Sequence, residues 1–344
     1  MERFTHLSGS VWTTLHSRPE VGHVASDAMT SASQTHLVVG VTEFGGPEQL
    51  DVHEVPIPVP GPGEVRIRVA AAAVSPTDTH LRAGTYGTYG QQPPYVPGMD
   101  AAGIVDAVGE GVPWQVGQRL MAIALPTGPH GGAYVQHLVG PWQSMTPVPD
   151  SVSLVEASTV PMNGLTALQA LAHLDLSAGS TLAVTGAAGT LGSYLVRLAR
   201  AAGLVVVADT AEKDRELVTS LGPEHVVERG PDVARAIRGV FPEGVDGLVD
   251  ASVQGEQIVP ALRDGGRLAT VRFWEGPDER GIETFPVRVR DEYLAAERLE
   301  QLATYAEDGT LPLSVAAELP CTRAAQAHRM LEAGGVRGRI VLTF

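Results

Sequence analysis

An α/β protein, with a doubly wound parallel sheet beside a β-rich, partly open barrel, is predicted by three observations. The glycine-rich stretch from Thr181 to Gly192 joins a short β-branched run to a helical pattern. From about residue 155 to 289, strand-like apolar runs alternate with helical ones, the pattern of a parallel sheet. From Val39 to about Pro149, short β-rich runs are separated by Gly and Pro, as in a compact barrel. At 344 residues the chain exceeds what a single core usually serves, so two folded units are expected.

Residues 1–34 are a mixed polar stretch containing Ser, Thr and His, without the uninterrupted apolar core of a signal peptide. They read as a flexible extension, with Met29 as an alternative start. Barrel strands are expected at 50–55, 64–69, 103–108, 119–123 and 133–139. Pro56, Pro58, Pro60 and Pro62 punctuate one loop, and Pro93, Pro94 and Pro97 stiffen another. The parallel strands are expected at 181–185, 204–208, 224–227, 246–250, 266–272 and 283–289. A helix over 292–307, rich in Ala, Leu and Glu, leads to a final strand at 337–342 that should return to the barrel. The expected division is therefore 35–155 with 290–344 as one unit and 156–289 as the other.

Composition narrows the function classes. The net charge of −15 opposes a nucleic-acid or anionic-membrane partner, because steering would be repulsive. The single cysteine, Cys321, excludes internal disulfides and cysteine-rich zinc sites and fits a reducing cytoplasm. No apolar run reaches the length of a transmembrane helix. Of 11 histidines none stands with carboxylates at a recognised ligand spacing, and His80, His130 and His137 read as surface or structural residues.

The turn after Thr185 is built for an anion. Gly189 lets a pyrophosphate approach the backbone, Gly192 lets the following helix pack against the strand, and the helix start adds N–H groups and a dipole. Gly186, Ala188, Thr190 and Leu191 complete the cradle, although Ala187 stands at the first glycine of the G-x-G-x-x-G pattern. Asp209, at the end of the second strand, is placed to accept hydrogen bonds from a ribose diol. A dinucleotide site is the expectation.

Several ordered stretches carry a wider resemblance: 44–50 (Phe-Gly-Gly-Pro-Glu-Gln-Leu), 60–69, 74–84 (Val-Ser-Pro-Thr-Asp-Thr-His-Leu-Arg-Ala-Gly), 97–105, 164–167, 184–189 and 337–342. Together they resemble the medium-chain dehydrogenase/reductase superfamily, in its zinc-independent, quinone oxidoreductase-like branch. The resemblance runs from Val39 to Phe344. It implies a GroES-like catalytic domain built from both chain ends, an inserted Rossmann domain, an active site in the cleft between them and a homodimer. Zinc alcohol dehydrogenases of the superfamily hold their catalytic ion with Cys, His-Glu and Cys. The matching positions here are Ser75, Met99-Asp100 and Met162, poor ligands for that ion, so no metal is expected.

Without a metal, a carbonyl needs other help. Hydride delivered to a quinone or to the β-carbon of an enone puts charge on oxygen that conjugation, hydrogen-bond donors and water can share. Thr77, Tyr86, Tyr89 and Tyr95 are candidate donors. Tyr86 comes first, since the resemblance places it where enoyl reductases of polyketide synthases carry a proton-donating tyrosine. The alternative is that Tyr86 and Tyr89 only wall the pocket. Ser75 replaces an asparagine common in the branch. Asp78 and Arg82 read as a structural ion pair or loop anchor, Asn163 as a cleft contact or backbone partner, and Thr166 as the threonine approaching the nicotinamide. Trp274 reads as pocket lining or packing. Ser252 beyond the strand at 246–250, Arg272 at the end of that at 266–272, and Arg339 in the final strand complete the expected cofactor set.

NADPH-using quinone reductases, as the resemblance implies, carry a small residue at the Asp209 position and a basic residue at the Asp214 position. Two carboxylates here favour NADH over NADPH, although Lys213 and Arg215 flank Asp214. The reading is an NAD(P)H-dependent, zinc-independent reductase of a quinone or α,β-unsaturated carbonyl. Its alternatives are a metal-free alcohol/carbonyl oxidoreductase and a non-catalytic dinucleotide sensor or crystallin-like RNA-binding protein.

Overall fold

The computed structural model describes residues 34–88, 90–272 and 274–344. The expected N-terminal extension, Gln34 apart, and Tyr89 lie outside the described residues. Strands β1 (Thr35–Gly40) and β2 (Asp51–Pro56) form an antiparallel ribbon. The barrel sheet is organised around β3 (Glu64–Ala73), whose apolar residues Val65, Ile67 and Val69 alternate inward. After helix α1 (Pro76–Arg82) come β4 (Asp100–Val108), β5 (Arg119–Ile123), β6 (His137–Pro141) and β7 (Met145–Pro147). Helices α2 (Leu154–Ala157) and α3 (Pro161–Leu174) then lead out of this sheet. Pro161 occupies the first turn of α3, where its missing N–H has no partner to lose.

The second sheet is assembled from β8 (Thr181–Thr185), α4 (Thr190–Ala201), β9 (Val205–Thr210), α5 (Arg215–Ser220), β10 (His225–Glu228), α6 (Val233–Val240), β11 (Val245–Asp250), β12 (Leu262–Thr270) and β13 (Glu283–Pro286). All pairings are parallel, in the order β10-β9-β8-β11-β12-β13. Numbered from β8, that is 3-2-1-4-5-6, the doubly wound order whose switch point between the first and fourth strands receives a dinucleotide. The apolar strand cores, such as Val206, Val207, Leu248 and Val249, are buried on both faces.

The chain ends with α7 (Ala296–Glu307), β14 (Val315–Pro320), α8 (Ala324–Ala333) and β15 (Arg339–Thr343). β15 pairs antiparallel with β3, Val341 opposite Ala73, so the C-terminus does return to the barrel sheet. Several elements differ from expectation: β1 and β7 are additional strands, and the strand expected at 133–139 is β6, His137–Pro141. β12 begins at Leu262, with a register break after Val245. β13 stops at Pro286, which has no N–H to continue the ladder. β14 and α8 were not expected at all, since neither 315–320 nor 324–333 shows a strong apolar period.

Candidate functional site

A cavity of 820 Å³ lies over the switch point. One wall is the glycine loop: Gly186, Gly189, Thr190, Leu191 and Gly192. Another comes from the barrel side and α1, with Val74, Thr77, His80, Tyr86 and Met99. Met162, Asn163 and Thr166 on α3 and Gly338, Arg339 and Ile340 on or beside β15 close it from between. Of the expected set, Thr77, Tyr86, Thr166, Gly186, Gly189, Thr190, Leu191, Gly192, Arg272 and Arg339 line this cavity. Ala188 does not line it but borders a small neighbouring pocket of 70 Å³. Ser252 sits between two lining residues, its N–H donating to Thr185 Oγ1 and its Oγ accepting from Gln254.

The two key glycines differ in kind. A Cβ on Gly189 would meet only Gly186 O at 3.3 Å, so the backbone there is open to a ligand rather than filled by protein. A Cβ on Gly192 would fall 2.2 Å from Gly186 O. Gly192 therefore lets the loop close on itself, a tighter constraint than packing of α4 against β8. Gly186 itself has φ 69°, the left-handed region that favours glycine.

Asp209 departs from expectation. It is 1% exposed and does not line the cavity. Oδ1 accepts the Gly186 N–H at 2.6 Å and Oδ2 the Gln254 amide at 3.2 Å, so the carboxylate braces the root of the glycine loop. Burial raises its pKa, against the lowering effect of the Gly186 N–H and of Arg229. Asp214 departs too: its two oxygens are held by Arg337 at 2.8 and 2.5 Å, and that partner keeps its pKa low. The second carboxylate of the NADH argument is thus already neutralised.

Ser75 is wholly buried, outside the cavity lining. It is the N-cap of α1: its N–H donates to Asp78, and its Oγ has no partner. Asp78 and Arg82 do not pair directly. Asp78 accepts the N–H groups of Ser75 and Gly98 and the Tyr134 hydroxyl, while Arg82 bonds Glu332 at 2.6 Å. Between them His328 meets Tyr134 at 3.2 Å and Arg82 at 3.5 Å. A neutral ring donating from Nε2 to the phenol oxygen and accepting at Nδ1 from Arg82 satisfies every member. Burial lifts Asp78 to about 6 and, with help from Arg82, lowers His328 to about 3. Tyr95 stacks on Phe44, and Trp274 packs in the core beside β12; neither lines the cavity.

Asp100 and Arg339 are the site's internal ion pair, 2.7 Å apart and both buried. The other Asp100 oxygen accepts the Met162 N–H at 2.6 Å, tying β4 to the start of α3. Burial raises the Asp100 carboxyl, opposed by Arg339. Arg339 Nη1 is buried without a partner although the residue borders the cavity, a donor suited to a bound anion. The open cradle at Gly189, the start of the 12-residue α4 and this guanidinium together fit a dinucleotide pyrophosphate. A zinc ion does not fit. Met99 and Met162 offer thioethers, Ser75 lies outside the cavity, and both oxygens of Asp100 are engaged. Among the described residues no three His, Cys, Asp or Glu side chains cluster as a metal site. Nor is any described helix long and apolar enough to cross a membrane.

Comparison with known proteins agrees with this geometry. Residues 61–150 match the alcohol dehydrogenase GroES-like domain, and 221–342 match the family described as zinc-binding dehydrogenase. A quinone oxidoreductase from Lama guanicoe is 28% identical over 333 residues, covering 91% of this chain and 99% of that protein. The CurK enoyl reductase structure superposes with a TM-score of 0.80 at 25% identity, covering 90% of this chain and 99% of its own. An NAD-dependent alcohol dehydrogenase structure gives 0.78 at 28% identity, with 90% and 99% covered. The chain belongs to the medium-chain dehydrogenase/reductase superfamily, in its quinone oxidoreductase-like branch, and is an oxidoreductase that uses a nicotinamide cofactor.

Proposed function

We propose that the enzyme reduces a conjugated carbonyl, a quinone or an α,β-unsaturated carbonyl compound, with NADH and without a metal. The observation that carries this reading is the lining of the cavity. It brings the glycine cradle together with Met99, Met162, Thr77 and Tyr86, with no carboxylate or thiol among its described residues. Such a wall holds an apolar acceptor and offers hydrogen bonds, which suffices only where conjugation spreads the developing charge.

The reduced nicotinamide, when bound, supplies the hydride. Tyr86 donates a proton or hydrogen bond to the enolate that forms when the hydride enters the β-carbon and the π electrons move onto oxygen. Thr77, at the first turn of α1, orients the carbonyl from the same wall. Thr166, its hydroxyl donating to Met162 O at 2.7 Å, lines the cavity on α3 and borders the nicotinamide region. Arg339 and the Gly189 cradle hold the pyrophosphate. NADH is favoured by Asp209 alone: its charge at the end of β9 repels a 2′-phosphate, and the 3.2 Å Gln254 bond is the weaker of its two contacts.

The likeness to an alcohol dehydrogenase structure makes simple carbonyl reduction the second reading. Following nicotinamide absorbance with a quinone, an enone and a saturated aldehyde separates the two. The enone or quinone should be reduced and the aldehyde not. Tyr86→Phe should lower kcat for the enone by about tenfold or more, the scale of general-acid help, and affect a quinone less. Turnover of the aldehyde alone would overturn the proposal.

A further inference from the structure

Four arginines border the cavity of a chain whose net charge is −15: Arg272, Arg288, Arg290 and Arg339. No Asp or Glu accompanies them among the described lining residues. Arg339 is accounted for by the pyrophosphate. The other three lie at or just beyond the carboxyl ends of β12 and β13. In the strand order these are the fifth and sixth positions, on the opposite side of the switch point from Asp209 on β9. At about 4.8 Å per strand, β12 and β13 stand roughly 10 and 15 Å from β8, beyond the cradle and toward the acceptor.

The three are not equally committed. Arg288 meets the exposed Glu275 at 3.1 Å, a surface pair of little strength. Arg290 donates to Thr127 Oγ1 at 3.4 Å and is not free of other partners. Arg272 is exposed, and it makes no hydrogen bond or ion pair with the described residues. Its φ of 62° is left-handed for a non-glycine residue, a conformation that costs free energy and gathers at ligand-holding positions. An exposed guanidinium on a left-handed backbone, with no partner among the described residues, shares the lining with two more cations and forms a local positive field there.

We infer that the substrate carries a carboxylate or phosphate remote from its conjugated carbonyl, and that Arg272, supported by Arg288 and Arg290, holds that anion on the β12–β13 side of the cavity. This rests on the conjugated-carbonyl reading above. It also removes Arg272 from the cofactor set in which the sequence placed it.

Two matched pairs test it. Monomethyl fumarate against dimethyl fumarate tests a carboxylate, and crotonyl coenzyme A against the crotonyl thioester of N-acetylcysteamine tests phosphate. Turnover is measured for wild type, Arg272→Gln and Arg272→Lys, alongside calorimetric binding of the saturated counterparts to cofactor-loaded protein. In at least one pair the anionic member should be preferred by about tenfold or more, the scale of one charge-assisted hydrogen bond. Arg272→Gln should abolish that preference, Arg272→Lys should keep part of it, and added salt should weaken it.

Equal use of both members of both pairs would overturn the inference. So would a preference that survives Arg272→Gln, or an Arg272→Gln variant whose main defect is cofactor affinity. If no compound oxidises the cofactor yet the saturated anionic ligand binds in an Arg272-dependent way, the anion site stands and the conjugated-carbonyl reading falls. Absence of both turnover and selective binding sinks the inference itself.

Discussion

Arg339 Nη2 and Asp100 Oδ2 are joined at 2.7 Å inside the protein, and the same carboxylate holds the Met162 N–H. β15, β4 and α3 therefore meet at one buried charge. Removing either partner leaves the other charge buried without its counter-ion. Asp100→Asn should cost about 3–5 kcal/mol of unfolding free energy, the range for breaking a buried pair, while Asp100→Leu with Arg339→Met should cost much less than the summed single changes. Urea unfolding of wild type, Asp100→Asn, Asp100→Leu, Arg339→Met and the double variant checks this. Simple additivity would show that the pair is not coupled.

The two loop glycines should separate fold from function. Gly189→Val places its side chain toward the cavity and should weaken dinucleotide binding by about tenfold or more, the effect of blocking the pyrophosphate's approach, with little change in thermal unfolding. Gly192→Ala puts a Cβ 2.2 Å from Gly186 O and should destabilise the protein itself. Calorimetry and melting curves on both variants provide the contrast. A Gly189→Val protein with unchanged affinity would move the cofactor elsewhere.

Asp209→Ser should both loosen the glycine loop and alter cofactor choice, because one carboxylate serves Gly186 and sets the local charge. NADH binding should weaken by about 1–3 kcal/mol, the scale of a charge-assisted hydrogen bond, and the NADPH to NADH ratio of kcat/KM should rise. A wild type that already prefers NADPH would show that a cation such as Arg229 or Lys213 overrides Asp209.

These residues also mark what a sequence can disclose. The strand-loop-helix at 181–201 is legible because local periodicity and glycine spacing are properties of neighbours along the chain. The position of Asp209 at a strand end was equally legible, but the direction of its oxygens was not: they turn to Gly186 and Gln254, 23 and 45 residues away. Asp214 is spent on Arg337 across 123 residues, and Asp100 on Arg339 across 239. Ser75 sat in the right motif and proved to be a buried cap. The arginines at 288 and 290 entered the cavity only once β13 ended early, at Pro286.

Acid should act on the buried network behind α1. His328 has its folded pKa lowered to about 3 from 6.5 by burial and by Arg82. A depressed value means that its neutral form stabilises the fold fully above about 6.5, and that this contribution is lost as pH falls toward 3. Asp78, raised to about 6 by burial, works in the opposite sense between 6 and 3.8 in either protein. His328→Gln should therefore be less stable than wild type at neutral pH, and the gap should narrow at pH near 5. Urea titrations at the two pH values measure it; a constant gap would contradict the assignment of a neutral, buried ring.

Chelation should leave activity intact, since Met99, Met162 and an already engaged Asp100 form no zinc site. Dialysis against a strong chelator followed by assay and metal analysis is the check. Stoichiometric zinc whose removal abolishes turnover would contradict it.

Isotope transfer tests conjugate reduction most directly. Chelator-treated enzyme is incubated with an enone and NADH deuterated at the transferable C4 position, and the product is examined by NMR. Deuterium on the β-carbon of a saturated carbonyl product is the expected result. Deuterium on the former carbonyl carbon of an allylic alcohol, or turnover only after zinc is restored, would contradict metal-free conjugate reduction.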